Sequence, residues 1–251
     1  VAALNATGTG GGQAAAARGT VAGSGLVRLL SGWGVSESPP VRQDFAERLS
    51  LWLGPTDAMR LRALQPSLRP RLGAPGPALE TQRLAAACAV AQQAWVGWRQ
   101  RIAVAGRFES EGDDPVPRHE ADAPGFAPYR LAYLDWQREL DAGIATVRAQ
   151  LRQALAREAA WRPLATLDAV LEPMTAARAN KLWGLVPQCL EQRFRHWRDA
   201  GPPGGGADTP RAWLAHFEAD WTAALLAELD ARWEPVQGLM DAWRNEIETR
   251  Q

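Results

Sequence analysis

The sequence is poor in several residue types that carry chemistry or charge. Its 251 residues include two cysteines, three histidines, three methionines and a single lysine, Lys181. The two cysteines, Cys88 and Cys189, exclude a disulfide framework and any four-cysteine zinc site. The 28 basic residues balance the 28 acidic ones. This balance argues against a protein that coats nucleic acid and against a polybasic protein that binds membrane surfaces.

Long apolar runs are also missing. No stretch approaches the roughly 20 apolar residues that a membrane span needs. The Gly/Ala-rich start of the sequence lacks the basic segment and apolar segment of a secretory signal. Sustained alternation of apolar and polar residues is absent as well, so we expect essentially no β-sheet. These patterns predict a soluble, cytoplasmic, all-helical protein.

The composition divides the chain into three parts. Residues 1–23 are rich in Gly and Ala, which predicts a flexible tail. Residues 24–72 form a predicted region of short helices, and residues 77–251 form a predicted helical bundle domain. Two Pro- or Gly-containing stretches inside the bundle domain, 108–125 and 201–208, are expected to be mobile links.

The spacing of apolar residues predicts both short and long helices, and Pro and Gly residues mark their ends. The short ones are expected at 24–33, at 39–54 and, with Thr56 or Asp57 as the cap, at 56–64. The long ones are expected at 77–107, 126–160, 163–200 and 209–248. The prediction is therefore an all-α fold, an elongated bundle of about four long, proline-kinked helices with a small N-terminal helical region.

The first two long helices carry heptad patterns. On the first helix, the predicted inward positions are Leu84, Cys88, Ala91, Trp95, Trp98, Ile102 and Ala105. On the second helix they are Tyr133, Gln137, Leu140, Ile144, Val147, Leu151 and Ala154. Three arginines off this second pattern, Arg148, Arg152 and Arg157, are expected to be solvated.

Prolines leave part of the topology open. The break at Trp161–Pro163 suits either an antiparallel hairpin or one kinked helix. Pro173, Pro187 and Pro235 fall inside the later helices, where each removes a backbone donor and predicts a kink or a break.

Few residues have the pattern of a reactive site. Cys88 and Cys189 are expected to behave as small apolar residues. His216 and Asp220 share a helix face but lack the second histidine of a metal-binding HExxH pattern. Acidic residues and one histidine of the 108–125 link are interpreted as solvated: Glu109, Glu111, Asp113, Asp114 and His119. We therefore predict no catalytic, cofactor-binding or metal-ligating residue.

Basic residues cluster with aromatic ones near residue 195. Arg193, Arg195 and Arg198 are the candidate anion contacts, because arginines beside an aromatic ring can hold phosphates and stack a base. The alternative is structural, since Phe194 and Trp197 fit the apolar stripe and cations near a helix C-terminus complement its dipole. Both interpretations stay open at this point.

Tryptophan is unusually abundant, with 12 residues. Many fall on predicted inward positions and are expected in the core. Four others are expected to lie partly outside the core of a single protomer. They are candidate interface residues, because aromatic side chains are favoured at protein interfaces. They are Trp52, Trp183, Trp233 and Trp243.

Four stretches resemble an uncharacterised proteobacterial family catalogued as a domain of unknown function. They are DFAERLSLWLGPTDAMRL (44–61), FAPYRLAYLDWQREL (126–140), LDAVLEPMTAARANKLWGLVPQCLEQRF (167–194) and LLAELDARWEPVQGLMDAWR (225–244). The resemblance implies no catalytic residues. It implies genes that often neighbour those of a MotA/TolQ/ExbB-like proton channel and an OmpA-like peptidoglycan-binding protein. An accessory of an envelope motor is the role that this neighbourhood suggests.

The sequence thus predicts a non-enzymatic helical adaptor or scaffold that binds a partner protein, or itself, and carries no cofactor. A MotA/TolQ/ExbB-like channel protein is the partner that the resemblance suggests. The alternative prediction is a helical protein that binds nucleic acid or another anion through Arg193, Arg195 and Arg198, and an enzyme is the third.

Overall fold

The computed structural model describes residues 25–34, 54–64, 78–106, 125–200 and 212–249. These residues contain helices and no strand, which confirms the all-α prediction. The helices are α1 (Gly25–Gly32), α2 (Pro55–Leu64), α3 (Ala78–Ala105), α4 (Ala127–Arg157), α5 (Arg162–Ala200) and α6 (Ala212–Thr249). Four predicted segments lie outside the described residues: the tail at 1–23, the helix at 39–54 except its last residue, the link at 201–208, and the link at 108–125 except its last residue.

The start of α2 differs from the prediction by a few residues. The helix begins at Pro55, so neither Thr56 nor Asp57 caps it. Asp57 lies in the first turn, and its Oδ2 accepts a hydrogen bond from the Gly54 N–H at 3.2 Å. Proline suits the first helical position because its missing N–H would have no partner there.

The long helices are arranged around α4 and α6, which contact each other. α3 packs against both of these helices, and α5 also packs against both. α1 lies on α6, and α2 lies on α5. α6 therefore contributes much of the core: Phe217, Trp221, Leu225, Leu229, Val236 and Met240 are fully buried.

The predicted inward positions of α3 and α4 face this core. Leu84, Ala91 and Ile102 of α3 are 1% exposed or less. Tyr133 and Leu140 of α4 are fully buried. Trp95, Trp98 and Val147 are partly buried and pack against the same core, so the heptad spacing predicted the orientation of both helices.

α4 and α5 form an antiparallel hairpin, which resolves the alternative that the sequence left open. Residues 158–161 make the turn, where the Arg162 N–H donates to the Glu158 carbonyl at 3.0 Å. An ion pair joins Arg148 Nη2 to Asp168 Oδ1 at 2.6 Å, and another joins Arg148 Nη1 to Glu172 Oε1 at 3.5 Å. One continuous helix would hold residues 148 and 172 roughly 36 Å apart.

The same hairpin corrects the prediction that Arg148 and Arg152 are solvated. Their side chains are 13% and 19% exposed, and Asp168 is 10% exposed. Arg152 Nη1 lies 3.2 Å from Asp168 Oδ2 and also pairs with Glu172. The prediction was wrong because α5 covers a face of α4 beside the heptad pattern. Arg157 is exposed, as expected.

Proline does not interrupt the long helices. α5 continues through Pro173 and Pro187, and α6 continues through Pro235, so the expected breaks do not occur. Pro187 is buried between Val186 and Cys189, which are 0% and 5% exposed. Tertiary packing on both sides of Pro187 holds the chain helical despite the missing backbone donor.

Candidate interaction surface

The four candidate interface tryptophans lie in different environments. Trp233 and Trp243 are 3% and 8% exposed, so both belong to the core of this chain. Trp233 packs edge-on against Trp98 with their ring centroids 6.0 Å apart. Trp183 is half-buried, with the Arg232 guanidinium 4.6 Å above its ring. Trp52 lies outside the described residues.

Each candidate anion-binding arginine has a carboxylate partner within the chain. Arg193 Nε lies 2.5 Å from Asp220 Oδ2. Arg195 pairs with Glu191 on the same helix, and Arg198 pairs with the adjacent Asp199. Anion binding by these arginines therefore stays a prediction.

Arg193 also has a structural role that the sequence only suggested. Its guanidinium lies 4.6 Å from the Trp197 ring and 5.7 Å from the Trp33 ring, at distances where a cation is attracted to an aromatic face. It thereby connects the end of α1 to α5 and, through Asp220, to α6. His216 stacks on Trp197 with centroids 4.8 Å apart.

The two cysteines and the His216–Asp220 pair are engaged in packing and in hydrogen bonds. Burial raises the pKa of the Cys88 thiol to about 11, with Arg244 acting in the opposite direction. Burial also raises the pKa of Cys189. Asp220 accepts hydrogen bonds from Arg193 and from Trp197 Nε1, the latter at 2.6 Å. Within the described ranges, no three His, Cys, Asp or Glu residues converge as metal ligands.

A buried polar network joins α4 to α6. Glu228 is 0% exposed, and its Oε2 accepts a hydrogen bond from the Tyr133 hydroxyl at 2.8 Å. Gln137 Nε2 donates to the same carboxylate at 2.9 Å, and Arg232 Nε donates to it at 2.8 Å. Burial and the Glu228 charge raise the pKa of Tyr133 well above its ordinary value. A polar residue on the α4 heptad pattern, Gln137, was the signal of this network in the sequence.

A cleft of about 210 Å³ opens where α4, α5 and α6 meet. Its charged lining residues are engaged with one another, since Arg148 pairs with Glu172 and Arg232 pairs with Asp141. Much of its remaining wall is alanine, including Ala145, Ala176 and Ala179. The cleft presents small apolar groups between internally neutralised charges.

The side of α3 that points away from α4 and α6 has an unusual composition. A second heptad pattern runs along it, with the same alternation of four and three residues as the inward pattern. Its members are Gln82, Ala86, Ala89, Gln93, Val96, Gln100 and Ala103. All seven are exposed. Together with their neighbours Ala85, Val90, Gly97 and Val104, they form the outward face of α3.

The outward face of α3 carries no charged residue between residues 84 and 98, and Arg83, one heptad before Val90, is exposed at its start. Residues 84–98 contain no Asp, Glu, Lys or Arg on any side of the helix. Three valines of the face are large and accessible, because Val90, Val96 and Val104 are 54%, 38% and 71% exposed. The face is therefore uncharged but not wholly apolar, because glutamines alternate along it with Ala and Val.

Other long helices show the usual contrast between inner and outer faces. α4 exposes the ion pair of Arg138 and Asp135, and α5 exposes Lys181 and Arg195. The outward face of α3 was not predicted from the sequence, because the inward heptad pattern alone accounts for the apolar spacing of this helix. Its signal was the absence of charge over 84–98.

Over the ranges that the structure describes, these features define an all-helical protein in which α3 exposes an uncharged stretch. No helix in the described ranges is long and apolar enough to cross a membrane. The chain belongs to the family described as "protein of unknown function (DUF3348)", which matches residues 13–245. This confirms the resemblance to a family of unknown function, while the proteobacterial origin and the gene neighbourhood stay predictions. No curated protein and no solved structure matches the chain.

Proposed function

We propose that this protein is a non-enzymatic helical adaptor that docks another protein chain on the outward face of α3. The observation that carries the proposal is the exposed, uncharged heptad pattern of that face. Four of its seven positions are Ala or Val, which can pack against a second helix, and the other three are glutamines, which can hydrogen-bond to one. Exposed apolar surface bounded by polar residues commonly marks a protein-binding site.

The pairing of polar groups elsewhere supports an adaptor over an enzyme. Arg193 and Asp220 are tied to each other and to tryptophans. Glu228 is fully buried and bonded by three side chains. Such groups stabilise helix contacts, whereas a reactive group must be accessible to a substrate.

The resemblance extends this proposal to a partner and a location. The predicted gene neighbourhood makes a MotA/TolQ/ExbB-like channel protein a candidate occupant of the face. The adaptor would then act in the cytoplasm of a proteobacterial cell, beside an envelope motor. Co-purification of the channel protein with the tagged adaptor tests this extension directly.

A charge placed on the outward face of α3 should abolish docking. We expect a Val90→Glu variant to lose, from native-host extracts, proteins that the wild type captures, because a buried carboxylate without a partner is costly. The matched control is Leu131→Glu, since Leu131 is 60% exposed on α4 and Val90 is 54% exposed on α3. Quantitative mass spectrometry compares the captured proteins. Identical captures by both variants and the wild type would contradict the proposal.

A further inference from the structure

We infer that α1 covers a second docking groove of the bundle, which takes a helix of a partner protein with the same spacing of apolar residues as α1. That spacing is a leucine, a second leucine four residues later and a tryptophan seven residues after the first leucine. In this chain the three residues are Leu26, Leu30 and Trp33. Because the groove lies on α6 beside α5, the inference goes beyond the proposed function, which concerns the outward face of α3.

α1 is bound to the bundle in the way that a peptide helix is bound in a groove. It has eight residues, and isolated helices shorter than roughly 12 residues are marginal in water. Leu26 and Leu30 lie on one face of α1. They are 0% and 5% exposed, in the same core as the buried residues of α6. The helix that this site already holds therefore identifies the kind of helix that fits it, an amphipathic one anchored by leucines at i and i+4.

The four long helices pack on one another independently of α1. α3 and α5 each contact both α4 and α6, whereas α1 packs chiefly on α6. α2, the next described helix, packs on α5, so α1 and α2 are held by different helices. α1 can therefore detach as a local unit while the contacts among the four long helices persist.

The end of the groove that receives an aromatic ring is held in place by α5 and α6. The Arg193 guanidinium lies 5.7 Å from the Trp33 ring, within the range of a cation–π interaction. Asp220 of α6 accepts hydrogen bonds from Arg193 Nε at 2.5 Å and from Trp197 Nε1 at 2.6 Å. Because these contacts do not involve α1, Arg193 stays in position when α1 detaches. A contact that is ordered in advance lowers the cost of binding.

Apolar residues near Asp220 on α6 are also held by other long helices. Phe217, one turn before Asp220, packs edge-on against Phe194 of α5 and Tyr129 of α4, with ring centroids 5.0 and 5.1 Å apart. Detachment of α1 would therefore leave an ordered apolar groove. Ordered apolar surface of this kind is what a partner helix needs in order to dock.

A variant that releases α1 tests the inference. The probe is a fluorescein-labelled peptide with residues 25–34 of this chain, and its fluorescence anisotropy is measured during titration with the full chain. In the wild type, α1 competes with the peptide at a high effective concentration, because it belongs to the same chain. The L26E/L30E variant should release α1, since unpaired carboxylates are costly to bury. It should bind the peptide at least about tenfold more tightly than the wild type.

The matched control is the R28E/G32E variant. It also places two glutamates four residues apart on α1, but at exposed positions. This variant should keep α1 docked and bind the peptide as weakly as the wild type does. Circular dichroism verifies the folding of both variants.

The contact between Trp33 and Arg193 provides a second measurement. A peptide with Trp33→Ala should bind the L26E/L30E variant at least about threefold more weakly than the unchanged peptide. This loss should shrink when Arg193→Gln is added to the variant, because the two residues are coupled directly. Nonspecific adhesion of the peptide to apolar surface would give the same loss with and without Arg193.

Three results would overturn the inference. The first is an L26E/L30E variant that loses its helical circular dichroism, because α1 would then be an integral part of the core. The second is a folded L26E/L30E variant that binds the peptide no better than the R28E/G32E variant. The third is a wild type that sediments at twice 27.3 kDa until the free peptide dissociates it, because the groove would then hold α1 of a second copy.

Discussion

The carboxylate of Glu228 is the most demanding single group in the core. It is fully buried on α6, where an unpaired charge would be strongly destabilising. Tyr133 and Gln137 from α4 and Arg232 from α6 together satisfy it. Because its donors come from two helices, this carboxylate fixes how α4 and α6 face each other.

Removal of the Tyr133 hydroxyl should therefore lower stability more than removal of its counterpart on Tyr129. Tyr133 donates to buried Glu228 at 2.8 Å, whereas Tyr129 lies 3.4 Å from Glu218 in a partly buried site. We expect Tyr133→Phe to lower the free energy of unfolding by about 1.5–3 kcal/mol, because hydrogen bonds to buried charges are strong. Tyr129→Phe should cost less than about 1 kcal/mol. Urea denaturation measures both, and equal losses would contradict this account.

At the scale of helices, α3 and α4 are in tight contact where a tryptophan meets a glycine. The Trp98 ring lies directly over Gly143, so that a methyl group at residue 143 would collide with it. Trp233 packs edge-on against the same ring and limits its movement. The absence of a side chain at Gly143 thus sets the distance between these helices.

Gly143→Ala and Gly238→Ala should consequently change stability in opposite directions. Both glycines lie inside helices, but an added methyl group at Gly238 meets nothing within 4 Å. We expect Gly238→Ala to stabilise the protein by about 0.5–1 kcal/mol through helix propensity. Gly143→Ala should destabilise it by about 1–3 kcal/mol through overpacking. Thermal and urea unfolding measure both signs, and stabilisation by Gly143→Ala would be inconsistent with the close contact.

The inward side of a helix could be predicted where a heptad pattern repeats. Which helices lie beside one another could not be predicted. The heptad spacing of α3 and α4 correctly placed residues such as Ile102 and Leu140 in the core. It could not show that α5 covers Arg148 and Arg152, because that depends on where the chain folds back. A signal was present: the pairs Arg148–Glu172 and Arg152–Asp168 lie symmetrically about residue 160. The outward face of α3 was likewise detectable only as a lack of charge.

For the molecule as a whole, the two short helices of the described ranges are attached to the bundle very differently. α1 inserts Leu26 and Leu30 into the core, at 0% and 5% exposure. α2 is longer but buries no residue, and its Met59 is 65% exposed. Stability should therefore vary across the fold, since regions with few buried contacts open locally.

Hydrogen exchange should reveal this difference. We expect α2 amides to exchange faster than those of α1, and α6 amides to exchange slowest, because α6 supplies much of the core. A Leu30→Ala variant should speed exchange in α1 while leaving α2 unchanged, since it removes a core contact of α1 alone. Mass spectrometry of exchanged peptides measures all three helices. Protection of α2 equal to that of α6 would refute this description.

The ion pairs of the α4–α5 hairpin depend on the number of residues between α4 and α5. One inserted residue between Arg157 and Asp168 would rotate everything after it by roughly 100° about the α5 axis. Asp168 and Glu172 would then point away from their arginines, and four charges would lose their neutralisation at once. The ion pairs on either side of the turn at 158–161 therefore constrain its length, because they form only when α5 keeps its present register against α4.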